Sequence, residues 1–594
     1  MAKLEPKRNV YVGHRYVPKI FGEWDNKNEY EGLSIVTHKG NSYTSKKRVP
    51  VGIDILNEEY WVVTGNYNAQ VEYYRDEVRK LSKDVESNSS NISSNLDKII
   101  ANEKSIENNS DSIVQAKNDI TKNKNDITSL DQRLESVEDL TDPTIDRKVV
   151  NVPTDFPDLQ TALDYGLKLK QGVKLEIMIE SGFSPKKGVS VEDQDASHIM
   201  ISSVDDIVSV DNSYTGHFIY VYKGKAPLLN CLIDSRDLGG DGLRVMFSSS
   251  AVVNSHCGVI NAGGGGVYCR TSTITAPYSI FTGSNDRGAW ITRASNVSFA
   301  QADFSGTKQG AVSVYISRAS IADFSDAKIN DSNASDWAIY VVRSKANFIN
   351  AQFNNSSGGG LIATSNSQVV ASEISARNAR KTTIYVNRSS EVQLGDNSDL
   401  SYSGNVGLHV VNNSRANAIG LNVSNSTNNP IIVESGSSVN ITDCNARVAK
   451  GDGVVISGST ANLPSLVLST VTGTGLKVTS GSSVNFENGF IQGTHGFGLD
   501  ISHGSTVNAR KALIELTKSV TGVVESGTGV RVSYGSTLNL VTARIRKNDL
   551  NDVNVRYGST ISANGLTTTN GSPEVSDTNV SSFNSPSGRG IMYV

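Results

Sequence analysis

Several usual anchors of a globular fold are scarce in this chain. Cysteine occurs four times in 594 residues, at Cys231, Cys257, Cys269 and Cys444, with neither CxxC spacing nor a dense framework. That excludes a disulfide scaffold and a cysteine-rich zinc module. Cys257 and Cys444 fall at the same inward position of the repeat described below, so the cysteines read as small buried core residues. Eight histidines show no paired metal spacing, and no P-loop or nucleophile elbow occurs, so no metal and no cofactor enzyme is expected. No run of 18 apolar residues exists, so no transmembrane helix is expected. The charged start, Met1 to Asn9, has no apolar segment after it, so no secretory signal is expected either. A formal net charge of -4 gives no general affinity for nucleic acid or anionic membranes. Any anion binding must come from a local patch.

Glycine is plentiful, at 52, against 13 prolines, and Ser, Asn, Thr and Val fill the C-terminal two-thirds. A chain of this length is too long for one compact core and calls for several domains or a repeat array. Residues 1–68 read as a head segment with Trp24, Tyr30, Tyr43, Tyr60 and Trp61 and short β-like runs such as Leu33–Val36. Gly40-Asn41 gives a hairpin signal. The basic cluster Lys46, Lys47 and Arg48 is either a docking face or a solvated edge.

Residues 69–140 change to a strict heptad. Val71, Val78, Val85, Ile92, Ile99, Ile106, Ile113, Ile120, Ile127 and Leu134 are seven apart without a break, the pattern of a left-handed coiled coil. Three residues further on, Asn88, Asn95, Asn102, Asn109 and Asn123 occupy five of the ten d positions. Polar layers of this kind restrict register and oligomer number. Repeated Ile/Asn layers resemble the stalks of trimeric autotransporter adhesins. That resemblance implies a parallel homotrimer whose asparagines surround an anion such as chloride; a long single helix against a partner is the alternative.

Residues 141–200 read as a lead-in. Val152 to Leu163 gives an extended segment followed by a short capping helix, with Asp155 or Asp158 as N-cap, and strand-like runs follow at 175–179 and 198–201. Residues 201–565 carry a repeat. The apolar residues that open one strand of each unit are Val252, Ile274, Val297, Ala322, Ala346, Val369, Val392, Ala416, Val439, Ala461, Val484, Val507, Leu538 and Ile561. They stand 22 to 25 apart except for one step of 31, which implies an extended loop around Ser519 to Gly527. A period near 23, built of short alternating strands and polar turns, is a solenoid signature. The fold class is therefore mostly β, a right-handed parallel β-helix of the pectate-lyase-like kind. The stalk and head precede it, and residues 566–594 form a cap or tail.

This order of parts resembles phage tailspikes. More specifically, Gly32-Leu33-Ser34-Ile35-Val36 through Gly40-Asn41-Ser42-Tyr43-Thr44-Ser45-Lys46-Lys47-Arg48-Val49-Pro50, with Tyr60-Trp61, resembles neck-appendage proteins of small short-tailed phages infecting Gram-positive bacteria. The resemblance covers about 70 residues. It implies a virion location, attachment to a neck, tail or collar protein through the head, and adsorption to wall teichoic acid, which some members also cleave. No catalytic motif of that family matches here residue by residue, so no active site transfers. The β-helix by itself hosts lyases, hydrolases and plain adhesins alike.

Because a β-helix stacks equivalent positions, its columns carry the chemistry. One outward column reads Tyr268, Ile291, Tyr340, Ile362, Tyr385, His409, Ile432, Val455, Lys477, Asp500, Arg531 and Asn554. Its apolar stretch calls for burial against sister chains or for sugar stacking. Arg270, Arg293, Arg318, Arg343 and Arg388 read as a ladder in one turn. Guanidiniums roughly 5 Å apart repel unless carboxylates such as Asp303, Asp323 or Asp326, or a bound polyanion, intervene. A fork of this kind suits polymer phosphates.

An acid column contains Asp326, Glu373 and Asp396. Glu373 and Asp396 on adjacent rungs would lie roughly 5 Å apart, the spacing of a retaining glycoside-hydrolase pair, and Asp326 and Glu373 roughly 9.5 Å apart, an inverting one. The plainer reading is that Asp and Asn are ordinary turn residues. A further group, Asp234, Arg236, Asp237, Asp241 and Arg244, lies near the N-terminal mouth of the repeat. The expectations are a glycopolymer-binding appendage with a depolymerase pair, the same appendage without chemistry, or, more weakly, a cellular trimeric adhesin. A peptide spanning residues 69–140 is expected to sediment as a trimer; a monomer would contradict the heptad reading.

Overall fold

The computed structural model describes residues 18–66, 95, 147–169, 173–568 and the strand 574–575. The chain divides into two compact units, 1–142 and 143–594. In the first, strands 19–23, 34–38, 41–45 and 61–66 form one sheet over a core of Tyr30, Val36, Tyr43, Val49, Ile55 and Trp61. The turn at Gly40-Asn41 joins the antiparallel pair 34–38 and 41–45, as the hairpin signal requires. Of the basic cluster, Lys47 pairs with Glu59 and Arg48 with Glu29, while Lys46 donates to the Glu58 carbonyl. These are contacts of a solvated edge. Asn95 is helical, and the rest of the heptad segment, with Asn88, Asn102, Asn109 and Asn123, lies outside the described residues.

The second unit is a right-handed parallel β-helix of about 18 turns. One face is a ladder of seventeen short parallel strands, from 187–192 to 574–575. The second face is a 14-stranded ladder from 250–252 to 560–562. The third has five strands at each end, and single bridges run between them through Ile280, Asp303, Lys328, Gln352, Ser375, Asp399, Asn422 and Asn445. Strands are three to six residues long over most of the array because each must turn a corner before the next face begins.

The N-terminal end is covered by the helix Leu159–Gly166. Asp158 is its N-cap, in extended backbone, accepting from the Thr161 amide at 2.8 Å. Asp155 instead accepts from the Asn151 amide upstream. Leu159 and Leu163 close the core from above. Gln160 bonds both the amide and the carbonyl of Ser190, and so satisfies part of the first strand's edge.

The second face confirms thirteen of the fourteen anchors in one continuous register, Ile274 to Ile561. The first is displaced by one. Ala251, 4% exposed, pairs with Ile274, and Val252 at 48% points to solvent. With period-2 alternation, a slip of one residue moves a side chain to the other face. Cys257 and Cys444 do occupy equivalent inward positions, and all four cysteines are buried and free. The long step from Val507 to Leu538 is the loop between strands 513–515 and 528–532.

Two residues before each anchor stands a serine, fourteen in all from Ser249 to Ser559, and every one is buried. In twelve of the thirteen steps the backbone N–H of one serine donates to the hydroxyl oxygen of the next at 3.1–3.4 Å. Most of the hydroxyls donate in turn to a carbonyl two or three residues back, as Ser320 does to Ser317 at 2.7 Å. The hydroxyl thus replaces the carbonyl that the corner has turned out of the ladder. Ser437→Ala removes the acceptor for the buried Ser414 amide, which costs about 1–3 kcal/mol. The expected result is a lower urea midpoint than the parent; an unchanged midpoint would contradict the role given to the ladder.

Candidate functional site: an aromatic and arginine track

At the corner between the first and second faces the chain enters left-handed backbone on each of these rungs, over two consecutive residues on most of them, and the first such residue forms a column. It is Thr271, Arg293, Arg318, Arg343, Ser365, Arg388, Asn412, Ser435, Gly458, Ser480, His503, Tyr534 and Tyr557, all at φ 49–61°. Asn and Gly fit such a turn at the lowest strain, whereas a long side chain incurs about 1–2 kcal/mol. Four of the five sequence-predicted arginines belong to this column. Arg270 does not: it lies on the strand, pairs in register with Thr292, and packs its guanidinium over the Phe247 ring at 4.5 Å. Arg293, Arg318, Arg343 and Arg388 are exposed, and no ion pair to any of them occurs among the described residues. Asp303 and Asp323, the expected partners, instead accept from the Ser305 and Ser325 amides within their own turns.

Three residues before each of these arginines an aromatic residue points outward from the first face. The pairs are Trp290 with Arg293, Tyr315 with Arg318, Tyr340 with Arg343 and Tyr385 with Arg388. The register runs Arg244, Tyr268, Trp290, Tyr315, Tyr340, Ile362, Tyr385, His409, so Trp290, not Ile291, occupies the column, and Tyr315 completes it. Ile291 faces the core beside Cys269. The rings pack on one another, Tyr268 to Trp290 at 5.0 Å and Tyr315 to Tyr340 at 5.4 Å between centroids. This mutual cover leaves the stripe half-buried within a single chain. Burial pushes the Tyr340 and Tyr385 phenols up, and the Arg388 charge, which reaches both, pulls them down.

Arg287 lies over Trp290 at 4.5 Å, and together with Tyr315, Tyr340 and Asp336 they line a hollow of about 380 Å3. The Trp290 indole N–H is buried there with no acceptor among the described residues. The aromatic-x-x-Arg spacing is visible four times in the sequence. Ile291 and Arg270 each lie one residue away from the columns that carry this spacing.

The acid column resolves differently. Asp326 and Glu373 stand at a second left-handed corner, at φ 56° each, with Asn350 between them. Asp396 is not in that column. A bulge at Gly395, where an added Cβ would meet the Ser372 hydroxyl at 2.2 Å, shifts the strand by one, so that Asn397 takes the corner and Asp396 pairs with Ile419. Glu373 and Asp396 are therefore not stacked neighbours. All three acids are exposed, and none lines the hollows described here. Turn geometry accounts for Asp326: Asp and Asn tolerate this backbone better than most residues.

Near the N-terminal mouth, Asp241 accepts from Arg244 at 2.8 Å and Asp234 from the Arg236 amide and Asn261, while Asp237 pairs with Lys308. These are internal ties rather than a convergent site. Beside them a cleft of about 830 Å3 lies between the start of the capping helix and the first rungs, lined by Lys186, Lys187, His217 and Tyr220 among others. The Asp241 amide donates to His217 Nδ1 at 2.8 Å.

Residues 337–491 match the family described as right handed beta helix region. Among solved structures, the chain is similar to the periplasmic alginate epimerase AlgG, at 9% identity and a TM-score of 0.28, over 73% of this chain and 84% of that one. A point mutant of the same enzyme matches at 8% and 0.25, over the same shares. No curated protein matches the sequence.

Burial holds the His217 imidazole below its ordinary value of 6.5, against the opposing pull of Asp241. The native state thus takes up that proton less readily than the unfolded chain. Its contribution to stability is fully present above pH 6.5 and is lost as the pH falls below it. Hydrogen-exchange protection in the first rungs, corrected for the intrinsic pH dependence of amide exchange, is expected to fall on acidification, and less so in His217→Gln. An equal fall in both proteins would remove His217 from this account.

Proposed function

We propose that this chain is a receptor-binding appendage of a bacteriophage virion that adsorbs to an anionic glycopolymer of the host surface, wall teichoic acid in particular. The observation that carries the reading is the row of exposed arginines without ion pairs among the described residues, each beside an outward aromatic ring. Three like charges at ~4.8 Å intervals, with Arg388 two rungs further on, repel by about 1 kcal/mol per adjacent pair even in water. A polymer with regularly spaced phosphates relieves that repulsion, while rings beside the arginines offer stacking surface to its sugar or polyol carbons. The β-helix itself is compatible with polysaccharide binding. In this reading the 1–68 head docks on a neck, tail or collar protein, the 69–140 stalk makes the homotrimer with an anion among its asparagines, and the protein is made in the host cytoplasm.

Adsorption without cleavage is favoured over a depolymerase, because Asp326, Glu373 and Asp396 do not converge. The alternative use of the aromatic stripe is burial between sister chains. It leaves the unpaired arginine row unexplained unless acids of the neighbouring subunit meet it.

Purified protein is expected to be retained on teichoic-acid-bearing cell walls, and Arg318→Ala with Arg343→Ala to weaken retention about tenfold or more at low salt. Equal retention by the double variant would overturn the arginine-track reading. Teichoic acid chain length is expected to stay constant during the incubation; shortening abolished by Glu373→Gln would replace the adhesin with a depolymerase.

A further inference from the structure

On the last rungs the two columns exchange roles. Between residues 290 and 388 the strand position is aromatic and the corner carries arginine. Between 477 and 557 the strand position carries Lys477, Asp500 and Arg531 in one register, followed by the neutral Asn554, and the corner carries His503, Tyr534 and Tyr557. The corner rings stack nearly parallel, His503 on Tyr534 at 4.9 Å and Tyr534 on Tyr557 at 4.7 Å. Small corner residues, Asn412, Ser435, Gly458 and Ser480, separate the two blocks.

A bulky ring at φ 53° or 49° is strained, and bulky side chains at such backbone cluster at functional sites. Stacking offsets part of that strain but does not hide the rings: Tyr534 is 53% exposed and Tyr557 51%. Below them the charges are fixed. Asp500, 4% exposed, receives both Nε and Nη2 of Arg531 at 2.8 Å, and the guanidinium lies over Phe497 at 3.7 Å. Glu525, from the long loop at 516–527, pairs with Arg556 and lies 3.9 Å from Arg531. Lys477 lies 3.7 Å from Asp452. The rings and ion pairs line a hollow of about 340 Å3, with hydroxyls from Thr479, Ser502 and Ser533 at its wall.

We propose that this hollow is a second binding site, for one neutral pyranose residue of the same glycopolymer; the proposal rests on the adsorption reading above. Each cation here already has a carboxylate, so the site lacks the uncompensated positive charge that would draw a phosphate. It offers phenol and serine hydroxyls, a locked guanidinium–carboxylate pair and exposed ring edges, the mixture that recognises a hydroxylated ring with apolar faces. Its volume sits at the small end of ligand pockets, which span roughly 300–1,000 Å3. Five rungs separate Arg388 from His503, roughly 24 Å along the axis. One polymer can therefore engage both sites, and the second contact then raises avidity without needing high affinity of its own.

The test uses the full-length protein and methyl pyranosides (the glucoside, galactoside and N-acetylglucosaminide) in saturation-transfer NMR. Transfer to at least one sugar is expected. It should fall at least fivefold in a Tyr534→Ala/Tyr557→Ala variant and in Lys477→Met, and stay unchanged in Arg318→Ala/Arg343→Ala. Lys477→Met keeps the stacked rings, so it guards against loss of signal through misfolding of the last rungs. No transfer to any pyranoside, or transfer that survives both changes, would overturn the second site. Failure of the adsorption reading shows separately, as absence of retention on teichoic-acid-bearing walls by the parent protein. Transfer that is weakened by the arginine variant and not by the others would place the sugar on the arginine track instead and refute the proposal.

Discussion

The rest of the structure depends on one constraint: every rung must turn its corner at the same place, or the backbone of the next rung loses its partners. The buried serine ladder and the left-handed residue before it meet that constraint together. The left-handed residue swings the chain from the first face to the second, and the serine hydroxyl accepts the amide that the swing leaves unpaired. Left unsatisfied, such a buried donor would cost about 1–3 kcal/mol per rung, repeated over more than a dozen rungs. A solenoid of this kind cannot concentrate stability in one core, so the repeated small terms decide whether it forms.

Register is what converts sequence into surface. Equivalent positions lie ~4.8 Å apart, so a residue type repeated at one offset becomes a continuous track rather than a scattered set. The arginine row and the aromatic row are two such tracks, side by side because the strand position and the corner position are three residues apart. The same offset applied to Lys477, Asp500 and Arg531, with His503, Tyr534 and Tyr557, gives the reverse arrangement. Single substitutions at these positions change the chemistry of the surface and leave the inward column untouched.

Much of the fold was legible because the inward anchors recur near every 23 residues and because alternation tells in from out. Val252 and Ile291 show the limit of that method. Each is an aliphatic residue next to a small or aromatic one, and hydrophobicity alone cannot say which of two neighbours faces the core. The serine two places before each anchor was present in the sequence but reads as ordinary turn composition until its burial is known. Asp396 was misplaced for a physical reason: a bulge at Gly395 adds one residue, and a bulge leaves no mark in an apolar pattern. The aromatic-x-x-Arg pairs are legible in the sequence, because each lies within four consecutive residues. The outward column already sets Asp500 beside Arg531 across the one irregular step of the repeat, and the structure pairs them in that register. Most of the heptad segment and its asparagines fall outside the described residues.

The central claim is that the outward face from Trp290 to Arg388 is free in the assembled protein and holds a polyanionic glycopolymer along its axis. The most direct measurement is a structure of the full-length assembly with a short teichoic acid oligomer. The account predicts phosphates against Arg293, Arg318 and Arg343, with carbon atoms of the oligomer on Tyr315 and Tyr340. An aromatic stripe closed off between subunits, its arginines paired with the neighbouring chain's carboxylates and the oligomer elsewhere, would contradict it.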